Sequence, residues 1–359
     1  NPNNPPQFRV SSGGLVSALA GVKNEISFVW VGWTGSEVSP QHQTTLATRL
    51  EKEHSCFPVF MSEDLAELFY NGFCNDVLWP LFHYIPLPPV NADKEKRFDP
   101  KFFRAYIAAN QLFAEAVTSI YRPGDIIWVQ DYHLMLLPSI LRKKEPHMLI
   151  GFFLHTPFPA SDIFRVLPMH KEIIQGVLGS DLIGFHTYDY CSHFLSACAR
   201  LLGLETSHTG VSGHSANRFA HVRVCPIGID PGSFIQALRS DTVKERIQEL
   251  KQRFQGRRII LGVDRMDYTK GIPHKLRAFE RLLSTFPNWR ENKVVLIQIA
   301  VPSRIEVSEY RKLLSQTNEL VGGINGKYGA VDYSPIVFIN QSVNFHDLCA
   351  LYAVADVCL

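Results

Sequence analysis

No stretch of this chain approaches the ~18 consecutive apolar residues that a membrane-spanning helix needs, so no such span is expected. Cysteine is sparse and scattered. Cys56, Cys74, Cys191, Cys198, Cys225, Cys349 and Cys358 are odd in number and form no C-x-x-C. A disulfide framework and a thiolate zinc site are therefore not expected, and a reducing, cytoplasmic setting is. Asn1 to Gln7 is polar and proline-rich and does not read as a secretory leader. An excess of one charge is missing too. The 36 Lys and Arg nearly balance the 34 Asp and Glu, and no long block of one sign occurs. A nucleic-acid binder would show a basic stripe. The motif inventory is equally short. There is no G-x-G-x-x-G after a strand, no G-x-x-x-x-G-K-[ST] and no G-x-S-x-G. A dinucleotide cofactor, a P-loop and a serine nucleophile elbow are thus unsupported. No D-x-D or His/Glu cluster suggests a metal ion, and no internal repeat or low-complexity tract is present.

What remains is a chain of 359 residues, 46% hydrophobic and 19% charged, the balance of an ordinary globular protein but too long for one core. Two domains are expected. Strand patterns read at Phe28–Trp33, Pro58–Met61, Ile126–Val129, Met148–Leu154, Leu182–Phe185, Val222–Ile227, Ile259–Val263, Val294–Ile299, Ile336–Ile339 and Val357–Leu359. Helical periodicity lies between many of them, at 102–121, 133–144, 162–178, 188–202, 241–254, 273–286, 303–319 and 346–353. Short apolar strands alternating with amphipathic helices predict an α/β protein with parallel sheets covered on both faces. The run from Cys225 to Gly232 clusters Pro and Gly and reads as the linker, dividing the chain into 1–228 and 229–359. Two Rossmann-type domains would then face each other across a cleft, with ligands at the strand ends.

Those strand ends carry the chemistry. Ile259–Val263 runs into a loop with Arg265 and Lys270, then a helix. Free helical N–H groups and two cations suit a phosphate or diphosphate, although spacing alone fits a solvated loop equally well. Arg304 follows the strand Val294–Ile299 in a second such position. Asp131 ends one strand, as a helix cap or a hydroxyl binder; His155 ends the next, as a structural residue or a ligand-facing one. Gly13 and Gly14 precede a helical pattern, where a backbone can approach a ligand or simply turn. The run Tyr70 to Tyr84, with Trp79, is too aromatic for a loop. It reads as core or as a wall for sugar rings. The residues on their own suggest one phosphorylated and one sugar-like ligand.

Taken together, Ser12–Leu15, Gly32–Trp33, Tyr70–Tyr84, Trp128–Leu137, Gly151–Pro159, Gly184–Tyr188, Pro226–Asp230, Gly262–Gly271 and Ala300–Arg304 resemble the trehalose-6-phosphate synthases, the family 20 retaining glycosyltransferases, and most of all their fungal branch. The resemblance implies a GT-B fold and transfer of glucose from UDP-glucose to glucose 6-phosphate, without a metal or other cofactor. It assigns the donor diphosphate to Arg265, Lys270, Gly13 and Gly14, the donor glucose to His155, and the uracil to backbone near Val343. It assigns the acceptor to Trp33, Tyr70, Trp79 and Asp131, with Arg304 on its phosphate. Four of these, Arg265, Lys270, Asp131 and His155, would form the catalytic set. A homo-oligomer and a complex with a trehalose-6-phosphate phosphatase subunit stay open.

The sequence also departs from the family pattern. Ile305 stands where Gly is usual, and Gly323 where Arg is frequent. The family's opening Asn-Arg-Leu-Pro motif and its Asp-Gly-Met-Asn donor loop fall outside Asn1–Leu359, so the second domain is expected to be incomplete in this chain, which on its own is expected to be inactive or impaired. Two other functions stay open: a non-catalytic, synthase-like regulatory subunit, and a sister transferase with another phosphorylated acceptor.

Overall fold

The structure, a computed structural model, describes residues 19, 21–22, 25–85, 99–212, 218–290, 293–303 and 308–359. The glycine pair Gly13–Gly14, Arg304 and most of the charged turn expected at 91–99 lie outside those residues. The chain divides into two compact units, Asn1–Ile229 and Asp230–Leu359.

In the first unit, β1 (Trp30–Trp33) and β2 (Cys56–Val59) form a parallel pair. A six-stranded sheet follows, built from β3 (Ile126–Gln130), β4 (Leu149–Phe153), β5 (Leu182–Phe185), β6 (Glu205–Ser207), β7 (Gly210–Ser212) and β8 (Phe219–Val224) in the order β3-β4-β5-β8-β7-β6. Strands β3, β4, β5 and β8 run parallel, so their carboxyl ends share one edge. The expectation of purely parallel sheets fails at β6 and β7. These pair antiparallel with each other, and β7 pairs antiparallel with β8. Each is only three residues long, too short to show an alternation in the sequence.

At the opposite edge, Asp181 ties the strand starts together. It accepts from Arg142 (2.7 Å), from Arg218 and from the Ile150 N–H (2.8 Å). The helix expected at 162–178 is two pieces, Ser161–Phe164 and His170–Val177. Pro168 lies between them and has no N–H to continue the first. Residues 67–78, within the aromatic run, form a π-helix that leads into a short α-helix at Trp79–Phe82. The Trp79 N–H bonds back to the Cys74 carbonyl, the wide spacing of such a helix.

The second unit has one parallel sheet. Its strands β9 (Arg258–Arg265), β10 (Val294–Val301), β11 (Ile336–Ile339) and β12 (Val357–Cys358) lie in the order β11-β10-β9-β12. Strand β10 is buried along nearly its whole length, as a central strand covered on both faces must be. Val295, Ile297 and Ile299 pack with the helices Pro231–Arg239, Asp241–Arg253 and Phe345–Val354. Val294, Leu296 and Ala300 pack with Ile272–Thr285 and Ser308–Tyr328 on the other face. The end of the expected linker is itself helical. Asp230 accepts from the Gly232 N–H (2.9 Å) and Pro231 occupies the first helical turn, where its missing N–H costs nothing.

Candidate functional site

Each unit concentrates polar groups at the carboxyl ends of its parallel strands. In the first, Gln130 closes β3 and Asp131 follows with φ +69°. A non-glycine residue there carries roughly 1–3 kcal/mol of backbone strain and persists only where its surroundings fix it. They do so from below. The buried Tyr106 hydroxyl donates to the Tyr132 carbonyl (2.7 Å) and accepts from the Met135 N–H (2.9 Å). Asn110 donates to the His133 carbonyl (3.2 Å), and the Tyr132 hydroxyl donates to Asn75 (3.1 Å).

Asp131 Oδ1 accepts from the His155 N–H (3.2 Å), and its Oδ2 lies 4.0 Å from His133 Nδ1. The His155 ring stands edge-on to Phe153 (4.6 Å), with Nε2 2.9 Å from Gln130 Oε1. Burial, and then the neighbouring His186, lower the His155 pKa to about 4. The imidazole is therefore neutral near pH 7. Burial lowers His186 in the same direction.

Three aromatic rings continue this edge. Trp33, at the end of β1, lies 6.0 Å from Tyr70, and Tyr70 stacks on His133 at 5.6 Å and 13°. Trp79 is only 6% exposed, its ring against His83 (4.0 Å) and Tyr132 (5.8 Å). The structure thus links Trp33, Tyr70, Asp131 and His155 in one chain of contacts through His133, and places Trp79 in the packed layer next to Tyr132.

In the second unit, β9 ends at Arg265, and the loop closes through Lys270. Both are exposed, while the loop that holds them is braced from inside. Asp267, with no exposed surface, accepts from the Thr269 N–H (2.9 Å), the Thr269 hydroxyl (2.8 Å) and the Tyr310 hydroxyl (3.1 Å). Gly271, at φ +65°, ends this turn and opens the helix Ile272–Thr285, whose N-terminal N–H groups complete a cationic corner. Behind it, Lys275 pairs with Asp264 (2.8 Å), and Asp264 also accepts from Gln298 (2.9 Å). The Asp264 charge is thereby neutralised locally. Gly262 lies in register with Gln298, whose amide occupies the space a Cβ would need. Val343 is half-buried against the core of its unit, one residue before the Asn344 cap of Phe345–Val354.

Four residues of this architecture were not singled out from the sequence. Gln130, His133, His186 and Lys275 each stand at or just beyond a strand end or in the helix that follows one. The signal was available, since a polar residue closing an apolar strand at a sheet's ligand edge is itself informative.

The profile described as Glycosyltransferase family 20 matches residues 2–359. The chain belongs to that family. It is 50% identical to "Alpha,alpha-trehalose-phosphate synthase [UDP-forming] A" of Dictyostelium discoideum, over 98% of this chain and 46% of the relative. It is 52% identical to the enzyme named "Alpha,alpha-trehalose-phosphate synthase [UDP-forming]" of Schizosaccharomyces pombe, over 98% of this chain and 67% of the relative. The chain thus spans between about half and two thirds of these two proteins.

Among solved structures, the N-terminal domain of Candida albicans trehalose-6-phosphate phosphatase superposes with a TM-score of 0.85 at 33% identity, covering 96% of this chain and 73% of that one. A Burkholderia xenovorans trehalose-phosphate synthase in complex with glucose-6-phosphate gives 0.83 at 28%, covering 97% and 76%. An E. coli structure bound with UDP-2-fluoro glucose gives 0.84 at 29%, covering 99% and 76%. This family 20 chain therefore has the GT-B fold, with two Rossmann-type parallel-sheet units.

Proposed function

We propose that the protein is a UDP-forming α,α-trehalose-phosphate synthase, which moves glucose from UDP-glucose to glucose 6-phosphate with retention of the anomeric configuration. The observation that carries the reading is the pairing of two strand-end clusters in one family 20 chain. One holds a carboxylate, neutral imidazoles and aromatic rings; the other is cationic on a braced loop. The first suits uncharged hydroxyl-bearing rings, the second a diphosphate. Relatives named as UDP-forming synthases, and structural neighbours solved with glucose 6-phosphate and with a UDP-glucose analogue, support the same substrates.

As the glycosidic bond breaks, negative charge grows on the leaving UDP. Arg265, Lys270 and the N–H groups opening Ile272–Thr285 stabilise it, so the reaction as proposed needs no metal. The acceptor hydroxyl attacks from the same face, donating its proton to the departing phosphate oxygen. Asp131 accepts from acceptor hydroxyls, Trp33, Tyr70 and Trp79 form the acceptor wall, and His155 orients the donor sugar. Gly13 and Gly14 toward the diphosphate, Arg304 toward the acceptor phosphate and Val343 toward the uracil enter on the resemblance alone. A cytoplasmic location belongs to the same proposal; among the described residues no helix is long and apolar enough to cross a membrane.

The test is to mix the intact protein with UDP-glucose and a panel of phosphorylated acceptors and to measure UDP release. Release that depends on glucose 6-phosphate is expected. Release only with another acceptor, such as a glycerol phosphate, identifies a sister transferase instead. No release with any acceptor favours a second reading, a non-catalytic synthase-like subunit associated with a phosphatase. The similarity to the Candida albicans phosphatase domain is the observation behind that alternative. Against it stands the joint presence of Arg265, Lys270, Asp131 and His155, which a purely regulatory subunit does not need.

A further inference from the structure

Four neighbouring parallel strands of the first unit end in a row of polar groups. Gln130 closes β3, His155 lies two residues beyond β4, His186 directly follows β5, and Ile227 lies three residues beyond β8. The contacts run along this row. Gln130 Oε1 meets His155 Nε2 at 2.9 Å. The His155 N–H donates to Asp131 Oδ1 (3.2 Å). The His186 ring lies 5.7 Å from that of His155, and its Nδ1 accepts from the Ile227 N–H (3.4 Å). Both rings stand edge-on to Phe153, at 4.6 and 5.1 Å, which fixes their planes.

A neutral imidazole has one donor and one acceptor nitrogen, and the partner of one sets the role of the other. A carbonyl oxygen can only accept. Opposite Gln130 Oε1, therefore, His155 Nε2 carries the proton and Nδ1 is left with its lone pair. Burial and the neighbouring His186 keep the ring uncharged, so this tautomer is the working form. The other end of the Gln130 amide, Nε2, is buried with no hydrogen-bond partner among the described residues. A side chain that leaves a donor unsatisfied to keep one contact is held there by something other than its own stability.

We propose that Gln130 is a positioning residue that holds His155 as the Nε2–H tautomer, so that Nδ1 accepts a hydrogen bond from a hydroxyl of the donor sugar. This assignment rests on the glucosyl-transfer reading and adds to it a residue that never touches substrate.

The test combines histidine ¹⁵N spectra of the substrate-free intact protein with kinetics of the wild type, Gln130→Leu and Gln130→Glu. In the wild type at pH 7, a protonated Nε2 and an unprotonated Nδ1 are expected for His155. Gln130→Leu should lose that preference and raise the KM for UDP-glucose about 5- to 10-fold, the effect of one hydrogen bond, with the KM for glucose 6-phosphate within about twofold. Gln130→Glu keeps an acceptor, so the tautomer and the neutral-pH kinetics should survive. The new carboxylate joins Asp131 beside the ring, opposes the effect of burial and of His186, and favours the imidazolium. The acid limb of the rate profile should therefore move up by about one pH unit or more. An Nδ1–H tautomer in the wild type, the result of the opposite amide orientation, overturns the assignment while leaving glucosyl transfer intact. So does a Gln130→Leu protein with unchanged spectra and unchanged KM. Absence of UDP release from the wild type overturns the transfer reading, and with it the role toward the donor.

Discussion

The two strand-end clusters solve opposite problems. In the first unit the polar groups are half-buried and bonded to one another: Asp131 with the His155 N–H, His155 with Gln130, His186 with the Ile227 N–H. The two histidines are held neutral. In the second unit the cations proposed to meet the diphosphate, Arg265 and Lys270, are exposed, and only the loop beneath them is buried and bonded, through Asp267. A site for uncharged hydroxyls gains from shape and fixed hydrogen-bond directions. A site for a diphosphate gains from charge, and needs rigidity only in the backbone that presents it.

The sharpest way to break this comparison separates charge from scaffold in the second unit. Arg265→Ala should lower the rate of UDP release about 10²-fold or more, the scale of one lost transition-state donor, while shifting stability by no more than about 0.5 kcal/mol because the side chain is exposed. Near-normal turnover would remove Arg265 from the diphosphate site. Asp267→Ala should do the converse to the fold. It leaves two donors of Thr269 and the Tyr310 hydroxyl without their buried acceptor and should cost about 2–3 kcal/mol, read as a lower urea midpoint. An unchanged midpoint would show that the loop is not held in the way its contacts imply.

Most of the alternating strands are legible in the sequence because they are apolar runs of four or more residues between turn residues; β8, whose His221 and Arg223 interrupt the run, lies three residues before the expected Val222–Ile227, and β12 is only two residues long. The expected Ile259–Val263 covers five of the eight residues of β9, and Val294–Ile299 covers six of the eight of β10. The corner at Arg265 and Lys270 was visible for the same reason, since strand, loop and helix are consecutive in the chain. The other cluster is assembled from four separate segments. Its members could be suspected singly, at Asp131 and His155, but their mutual contacts depend on the order β3-β4-β5-β8, which no local pattern encodes. Tyr106 and Asn110, which hold the strained Asp131 loop, looked like ordinary members of a helix facing a core. The π-helix at 67–78 escaped because its widened turns have no periodic signature distinct from an apolar α-helix.

The neutral histidines of the first unit make its stability depend on pH, and the second unit offers no matching pair among its described residues. His155 titrates near 4 in the folded protein and near 6.5 when unfolded. The unfolded chain therefore binds a proton first. Stability is full above about pH 6.5 and is lost as pH falls through the window from 6.5 toward 4, by about 2 kcal/mol after allowing for the part of the ring that water reaches. His186, shifted in the same direction, adds to the loss. Urea midpoints taken from pH 7 to pH 4 should fall along this window and flatten in His155→Asn. A flat wild-type profile would mean that the imidazoles are not held neutral.

The smallest effect asks whether the aromatic edge acts through its rings or its hydroxyl. Tyr70 is stacked on His133 and tilted against Trp33, and a ring-to-ring contact of this kind is worth about 0.5–1.5 kcal/mol. Tyr70→Ala removes the ring and should raise the KM for glucose 6-phosphate about 3- to 10-fold, with the KM for UDP-glucose nearly unchanged. Tyr70→Phe keeps the ring and should stay within about twofold of the wild type. If Phe falls as far as Ala, the hydroxyl carries the contact, and the first unit recognises its sugar by hydrogen bonds throughout. If Ala raises the KM for UDP-glucose instead, the aromatic edge serves the donor, and the division of labour between the two strand-end clusters has to be redrawn.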